Sequence, residues 1–241
     1  MATTKKAAPA EVEYPDSDGM PMAESDLHRK IMNEVIDRLI ARYAKRNDVY
    51  VTGNLLVYYV EGEPRVSLAP DCFVAFGVRP GDRRVYKTWE EGAFPAVVFE
   101  ITSKTTERED MGKKFEIYQD TWKVRELFLF DPTEDYLDPP TVGYRMSRGE
   151  LKVIKPVGGR IASKELGITL ERDGTRLVLR DAKTGRELLL PAQVEAEEAR
   201  RKLRKAQRER ELAEEARDAE RAELDRLRAE VEAIRRRQPP N

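Results

Sequence analysis

The sequence is poor in cysteine and in long apolar runs, and both absences limit the cellular compartments in which the protein is expected. Cys72 is the only cysteine among 241 residues, which excludes an intramolecular disulfide and is typical of a reducing compartment. No apolar run approaches the length of a membrane span, and the N-terminal residues contain no apolar segment of signal-peptide length. We therefore expect a soluble, cytoplasmic protein with no membrane partner.

An excess of either charge is also missing. The chain has 44 Lys and Arg residues against 45 Asp and Glu residues, for a formal net charge of -1. The overall charge therefore predicts no nucleic-acid partner, and any such partner must be argued from the local distribution of charge.

Composition divides the chain into three regions. From Ala192 to Arg237 there is neither glycine nor proline, and Ala, Leu, Glu and Arg dominate, which predicts a long solvent-exposed helix. Residues 1–22 combine Ala, Pro, Lys and Asp without periodicity, which predicts a disordered tail. Residues 23–190 hold nearly all of the aromatic residues and every strand-like run, and are the predicted folded domain.

Within that domain, helical and extended patterns follow one another. Ser25 is a suitable helix cap, and apolar residues recur after it at helical spacing: Leu27, Ile31, Val35, Leu39 and Tyr43. Extended runs follow, punctuated by Gly or Pro: "DVYVTG", "NLLVYYVEG", "RVSLAPDCFVAFG" and "FPAVVFEITS". A helix at about 107–120, the strand "VRELFLFDP" and two hairpin-like pieces complete the order. This order predicts a mixed α/β sheet with few helices.

Glu100 is the most informative acidic residue, because it follows Val97, Val98 and Phe99 in an apolar strand. A carboxylate in such a place needs a cation, a proton or an escape to solvent, since an unpaired buried charge is costly. Strand alternation predicts that Glu100 and Thr102 share one face of the sheet.

Two further groups are predicted to face the same region. Asp71 follows a proline at the head of the strand "DCFVAF". On the helix after the Glu100 strand, Asp110 and Lys114 fall inside an arc of apolar residues, whereas Lys113 points to solvent. Asp71 and Glu100 are hard oxygen ligands suited to Mg²⁺, and a nearby lysine can orient water or stabilise charge on a phosphate. The pattern predicts a metal-dependent phosphodiesterase.

Three segments, "APDCFVAF", "FPAVVFEITSKTTEREDMGKKFEIYQ" and "VRELFLFDP", resemble the signature of the Uma-two family. These are restriction-endonuclease-like proteins of the PD-(D/E)XK nuclease superfamily. The resemblance covers most of residues 23–190, where the spacings Pro-Asp, Glu-x-x-Ser, Asp-x-x-x-Lys-x-x-x-Tyr and Asp-Pro recur in order. It implies a restriction-endonuclease-like mixed sheet flanked by helices.

The resemblance also implies roles for single residues. Asp71 and Glu100 become metal ligands, and Lys114 becomes the catalytic lysine. The superfamily usually places that lysine two residues after the Glu, where this sequence has Thr102. Lys104 stands where the family commonly has proline, and is a second candidate lysine.

Four more residues are accessory candidates, and each site residue has a structural alternative. Glu24 or His28 would line the metal site from the first helix, and Asp110 and Tyr118 from the later one. Alternatively, Asp71 caps its strand, Asp110 and Lys114 form an ordinary ion pair, and His28 packs in the core. Cys72 alternates away from Asp71 and is predicted to be a core residue.

The C-terminal helix carries a heptad seam with a polar middle and an apolar final quarter: Leu203, Ala206, Arg210, Ala213, Arg217, Glu220, Leu224, Leu227, Val231 and Ile234. The seam predicts a coiled-coil homodimer, and the alternative is a lone charged helix. The basic segment "RRKLRKAQRER" could contact phosphates, although charge runs on helices are usually solvated.

The predicted function is Mg²⁺-dependent hydrolysis of DNA phosphodiester bonds, with Mn²⁺ as a substitute metal. The alternative is an inactive nuclease fold that serves as a protein-interaction or nucleic-acid-binding module, with the coiled coil as its working part.

Overall fold

The computed structural model describes residues 12–17, 25–102 and 108–237, with the side chains at 108–111 and 234–237 left outside the description. The chain divides into two compact units, Met1–Pro191 and Ala192–Asn241. The helices are α1 Asp26–Tyr43, α2 Thr88–Glu91, α3 Arg108–Glu116 and α4 Pro191–Arg237. The strands are β1 Val49–Thr52, β2 Val57–Tyr58, β3 Ser67–Leu68, β4 Cys72–Phe76, β5 Tyr86–Lys87, β6 Val97–Ile101, β7 Glu126–Phe130, β8 Thr141–Ser147, β9 Glu150–Val153, β10 Ile161–Ser163, β11 Ile168–Asp173 and β12 Arg176–Asp181.

The central sheet has six strands in the order β1-β4-β6-β7-β8-β9. Only β6 and β7 are parallel neighbours, and the other pairs in this sheet are antiparallel. Strands β3-β2-β5 and β10-β11-β12 form two smaller sheets. The prediction of a mixed α/β sheet with few helices is confirmed.

Helix α1 forms where the sequence predicted it. The Ser25 side chain accepts a hydrogen bond from the backbone N–H of His28 at 3.1 Å, which satisfies one of the amides left unpaired at a helix start. The apolar stripe of α1 packs on one face of the central sheet, and Val35 and Leu39 are fully buried there. This packing places the first turn of α1, with His28, beside the head of β4.

Strand β6 separates two apolar cores. Phe99 and Ile101 belong to the core that α1 covers, whereas Val98 belongs to the core on the opposite face. Glu100 follows the alternation and lies on the Val98 face, as the period of two requires. The buried carboxylate therefore points to the side on which the helix after β6 returns.

That helix changes its geometry before it ends. It was predicted over about 107–120, whereas α3 ends at Glu116 and Ile117–Thr121 form a π-helical turn. The N–H of Trp122 donates to the carbonyl of Ile117 at 2.9 Å, five residues earlier. Tyr118 and Trp122 are both buried, at 0% and 3% exposure, so the wider turn fits two large aromatic side chains against the sheet. Single π turns of this kind are frequent at functional sites.

Part of the predicted disordered tail is ordered. Tyr14 packs on Tyr58 and Trp89, with ring centroids 5.0 and 5.3 Å away. Its hydroxyl accepts from the N–H of Gly62 at 2.7 Å, and Asp16 pairs with Arg84 at 2.6 Å. Residues 12–17 therefore differ from the predicted disordered tail. A few aromatic and ionic contacts order this short segment, and its composition gave no sign of them.

Helix α4 is almost entirely exposed over its described side chains. Leu224, Leu227 and Val231 are among the most exposed large apolar residues. In the described part of the chain, none of the helices has both the length and the apolar character needed to cross a membrane.

Candidate active site

Asp71 is held at the turn that leads into β4. Its Oδ2 accepts a hydrogen bond from the backbone N–H of Ile101 at 2.7 Å, so the carboxylate is tied directly to the end of β6. Gly53 packs under the same turn, where a Cβ atom would lie 1.9 Å from the Asp71 carbonyl oxygen. Any larger residue at position 53 would displace this turn.

Glu100 lies beside that anchor, with only 2% of its surface exposed. The Lys114 ammonium lies 3.3 Å from its Oε2, and the Tyr118 hydroxyl donates to its Oε1. Lys114 and Tyr118 are four residues apart, so one helix face presents both to the same carboxylate. The cation that Glu100 requires therefore comes from the following helix.

The pKa of Glu100 shows how the environment acts on it. Burial is the main reason that this pKa is raised to about 7, and the Asp71 carboxylate contributes to the increase. The Lys114 ammonium and the Tyr118 hydroxyl act in the opposite direction. Two carboxylates thus lie close enough to repel each other in a nearly dry site, and one lysine only partly compensates them.

His28 reaches the other oxygen of Asp71. Its Nε2 lies 3.2 Å from Asp71 Oδ1, and the histidine is 5% exposed. Asp71 is therefore held on one side by β6 and on the other by α1. The first turn of α1 therefore places His28 against Asp71, and its role at a metal site stays a prediction.

Lys114 and Lys113 differ as the helical wheel predicts. The Lys114 side chain is 12% exposed and contacts Glu100, whereas Lys113 is exposed to solvent. Of the remaining candidates, Glu24 and Lys104 lie outside the described residues, as does the side chain of Asp110. The proposed Asp110–Lys114 ion pair therefore stays a prediction.

Thr102 occupies the position where the superfamily carries its lysine, and it has a structural contact. Its hydroxyl donates to the carbonyl of Phe130 at 3.3 Å, and its N–H donates to the same oxygen at 2.8 Å.

Cys72 is fully buried in the core that α1 covers. Burial, with the Asp71 and Glu100 carboxylates, raises the pKa of its thiol far above the usual range, so the thiol stays protonated.

Asp131, from the Asp-Pro pair after β7, is a buried acid with a structural task. Burial works to raise its pKa, but N–H donors from Leu137, Tyr136 and Thr133 hold the pKa below its usual value. These donors lie 3.0, 2.6 and 3.1 Å from the carboxylate. The side chain therefore shapes the loop after β7, because its acceptor sites are used by the backbone.

Sequence reasoning missed two elements of the site. The Ile101 N–H that holds Asp71 belongs to an apolar residue of β6, and Gly53 was treated only as punctuation between strands. Neither carries a side-chain signal for chemistry. A glycine at the end of a strand is compatible with a close backbone approach, but the partner of that approach is not visible in the sequence.

Asp71 and Glu100 are the two carboxylates that this site could offer to a metal ion. Over residues 12–17, 25–102 and 108–237, no group of three or more His, Cys, Asp or Glu side chains is arranged to hold a metal ion. Mg²⁺ needs only one or two carboxylates and keeps several waters. Asp71 and Glu100 would be these two carboxylates, and a divalent cation would relieve the repulsion that adds to burial in raising the pKa of Glu100.

The chain is similar to solved structures and matches one family model. A solved structure described as a putative nuclease belonging to DUF820, from Anabaena variabilis, is 15% identical, with a TM-score of 0.45 over 61% of this chain and 76% of that one. No curated protein matches the chain. Residues 7–152 match the model of the Uma2 (Uma-two) family, described as "Putative restriction endonuclease". Because this match spans more than half of the 241 residues, the chain belongs to the Uma2 family.

Proposed function

We propose that this protein is a Mg²⁺-dependent endonuclease that hydrolyses DNA phosphodiester bonds. The observation that carries the proposal is the grouping of two repelling carboxylates and one lysine at the end of β6. Asp71 is anchored to this strand end by the Ile101 N–H, and Lys114 lies 3.3 Å from Glu100. Membership of the Uma2 family supports the proposal.

Each residue has a distinct task in this proposal. Asp71 and Glu100 would hold the metal, which when bound polarises the phosphate and lowers the pKa of a bound water. Lys114 orients the attacking water and stabilises the negative charge that develops on the phosphate. Tyr118 and His28 fix the rotamers of the two carboxylates, because each contacts one of their oxygens.

Lys114 can compensate Glu100 when no metal is bound and still leave Glu100 able to bind one. Without a cation, its ammonium offsets part of the negative charge of Glu100. Each carboxylate has about four lone-pair sites, so Glu100 can accept from Tyr118 and Lys114 and still offer an oxygen to a metal.

Nicking of supercoiled plasmid tests the proposal. Wild-type protein should nick or linearise plasmid with Mg²⁺ or Mn²⁺ and not with EDTA, and Asp71→Ala should lose this activity. Lys113→Ala is the control that should keep the activity, because Lys113 lies on α3 and faces solvent. Calorimetric titration with Mn²⁺ should show a site in wild type that Asp71→Ala lacks. Metal-independent cleavage, or equal binding by both proteins, would refute the proposal.

The competing function is an inactive nuclease fold that binds protein or nucleic acid. The observation that favours it is Thr102, which stands at the usual lysine position and is engaged with the Phe130 carbonyl. A protein of this kind need not bind Mg²⁺ or Mn²⁺ between Asp71 and Glu100, so the calorimetric titration separates the two functions.

We further propose that the protein acts as a homodimer through α4. The exposed apolar residues at the end of this helix support self-association, since a solvated monomer would leave them in water. The cytoplasmic location stays a prediction from the single cysteine.

A further inference from the structure

The last part of α4 presents an apolar stripe without a covering element in the described chain. Leu224, Leu227 and Val231 are 46%, 53% and 53% exposed. Their spacing of three and four residues places them on one face of the helix. They line one surface hollow together with Arg228 and Glu232.

The heptad register defines where this stripe begins. With Leu224 and Val231 at position a, Leu227 occupies position d. One and two heptads earlier, Arg217 and Arg210 occupy position a, and two copies of the helix would bring like charges together there. Close pairing is therefore confined to the segment that begins at about Leu224.

Charges beside the stripe select the direction of pairing. Glu223 and Glu230 occupy position g, whereas Arg221 and Arg228 occupy position e. In a parallel pair, g of one helix meets e of the next heptad in the other, so Glu223 meets Arg228 of the second copy. In an antiparallel pair of the same stripes, g meets g and e meets e, so glutamates face glutamates and arginines face arginines.

An electrostatic alternative exists in the first half of α4. Residues 200–210 contain seven cations and one anion, and residues 211–220 contain five anions and one cation. An antiparallel pair centred near residue 210 would match these opposite charges. It would, however, leave Leu224, Leu227 and Val231 far from their copies in the second chain, with their apolar surface still in water.

We propose that Leu224–Val231 of α4 forms a parallel, in-register two-stranded coiled coil with the same segment of a second copy of this chain. Burial of the three apolar residues supplies the association, and the Glu223–Arg228 pairs set its direction. Arg228 is available for this role, since within its own helix its nearest carboxylate contact is with Asp225 at 3.8 Å. The proposal rests on the homodimer proposed above and is independent of nuclease activity.

Disulfide trapping in the full-length protein tests the arrangement. Leu227→Cys places a thiol at position d, where a parallel pair brings the two copies within bonding distance. Ala229→Cys is the matched control, because position f lies on the outer side of the helix. The native Cys72 is buried, so wild type provides the background. In a glutathione redox buffer, Leu227→Cys should form reducible dimers at least about tenfold faster than Ala229→Cys.

Each outcome has a defined meaning. Trapping at position 227 alone supports pairing through this segment, and the charge reversal below decides its direction, because an antiparallel pair centred on Leu227 would also bring the two thiols together. Equal trapping at 227 and 229 would indicate random collision and overturn it. If sedimentation shows a dimer but Leu227→Cys is not trapped, the homodimer stands and the parallel arrangement is wrong. A monomer at tens of micromolar with no trapping would overturn both.

Charge reversal tests the direction of pairing. Glu223→Arg and Arg228→Glu should each weaken the dimer about fivefold, because each loses two symmetry-related pairs and gains two repulsions. The double variant restores opposite charges only in a parallel pair, and its dissociation constant should return to within about twofold of wild type. Failure of the double variant to recover, with unchanged helix content by circular dichroism, would overturn the parallel pairing.

Discussion

Two buried glutamates on adjacent parallel strands, Glu126 of β7 and Glu100 of β6, have opposite surroundings. Glu126 is fully buried and is held by the guanidinium of Arg145 at 2.8 Å. The Ser163 hydroxyl and the N–H groups of Lys164 and Glu165 also donate to it, at 2.5, 2.9 and 3.3 Å. These donors bind β7 to the turn after β10, so Glu126 joins two sheets.

Glu100 is almost as deeply buried but is less well compensated. It receives one ammonium and one hydroxyl, and the second carboxylate, Asp71, opposes its charge. The difference is that the surroundings of Glu126 match its charge with donors, whereas those of Glu100 leave negative charge in excess. An excess of this kind destabilises the fold and favours a cation, which is why Glu100 marks the candidate active site and Glu126 does not.

Removal of either carboxylate at the candidate active site should have the largest effect. Asp71→Ala and Glu100→Ala should each abolish binding of Mn²⁺ and nuclease activity, because Mg²⁺-type sites depend on very few protein ligands. Isothermal titration calorimetry and plasmid nicking measure both effects. If both variants bind Mn²⁺ as tightly as wild type, the metal site lies elsewhere in the chain.

Substitution of Glu126 should lower the stability of the fold. Glu126→Ala leaves Ser163, two backbone N–H groups and Arg145 without their shared acceptor, and should lower the free energy of unfolding by about 3 kcal/mol. Urea unfolding followed by tryptophan fluorescence measures this loss. An unchanged midpoint would show that water replaces the carboxylate and that the contrast with Glu100 is overstated.

Substitution of Lys114 should affect turnover and metal affinity to different extents. Lys114→Ala should reduce turnover about 10²-fold, since it removes a donor to developing charge, and should reduce Mn²⁺ affinity far less. Lys113→Ala should leave both nearly unchanged, because Lys113 faces solvent. Equal losses from both changes would place the catalytic lysine elsewhere, and a loss confined to Lys104→Ala would place it in the loop after β6.

The smallest expected effect concerns pH and the stability of the metal-free protein. Because the folded-state pKa of Glu100 is raised to about 7, the folded protein binds more protons than the unfolded chain between about pH 4.5 and 7. This contribution therefore weakens the fold as pH rises through that window. Glu100→Gln removes it, so the melting temperature of the variant in EDTA should equal or exceed that of wild type at pH 8 and show less gain at pH 5.

Glu116→Gln controls for the general effect of removing a carboxylate, because Glu116 is exposed on α3. It should show no pH-dependent difference from wild type. A lower melting temperature for Glu100→Gln at pH 8 would mean that the contacts of the carboxylate with Lys114 and Tyr118 outweigh its burial and its repulsion by Asp71.

Local periodicity determined a large part of this structure from the sequence. The spacing of apolar residues after Ser25 predicted α1 and its buried face, and alternation along β6 predicted the face of Glu100. The helical wheel separated Lys114 from Lys113. These inferences succeed because side-chain direction depends on backbone geometry over a few residues, and that geometry repeats every 2 residues in strands and about every 3.6 in helices.

The way in which these faces meet depends on contacts between distant parts of the chain. The Ile101 N–H that holds Asp71, the approach of His28 to the same carboxylate, and the packing of Tyr14 on Tyr58 join residues 30, 43 and 44 positions apart. The contact between Lys114 and Glu100 depends on how the helix after β6 returns over the sheet. A sequence pattern sets which face a residue occupies, but which faces meet depends on strand order, register and the burial of whole surfaces, and these are properties of the complete fold.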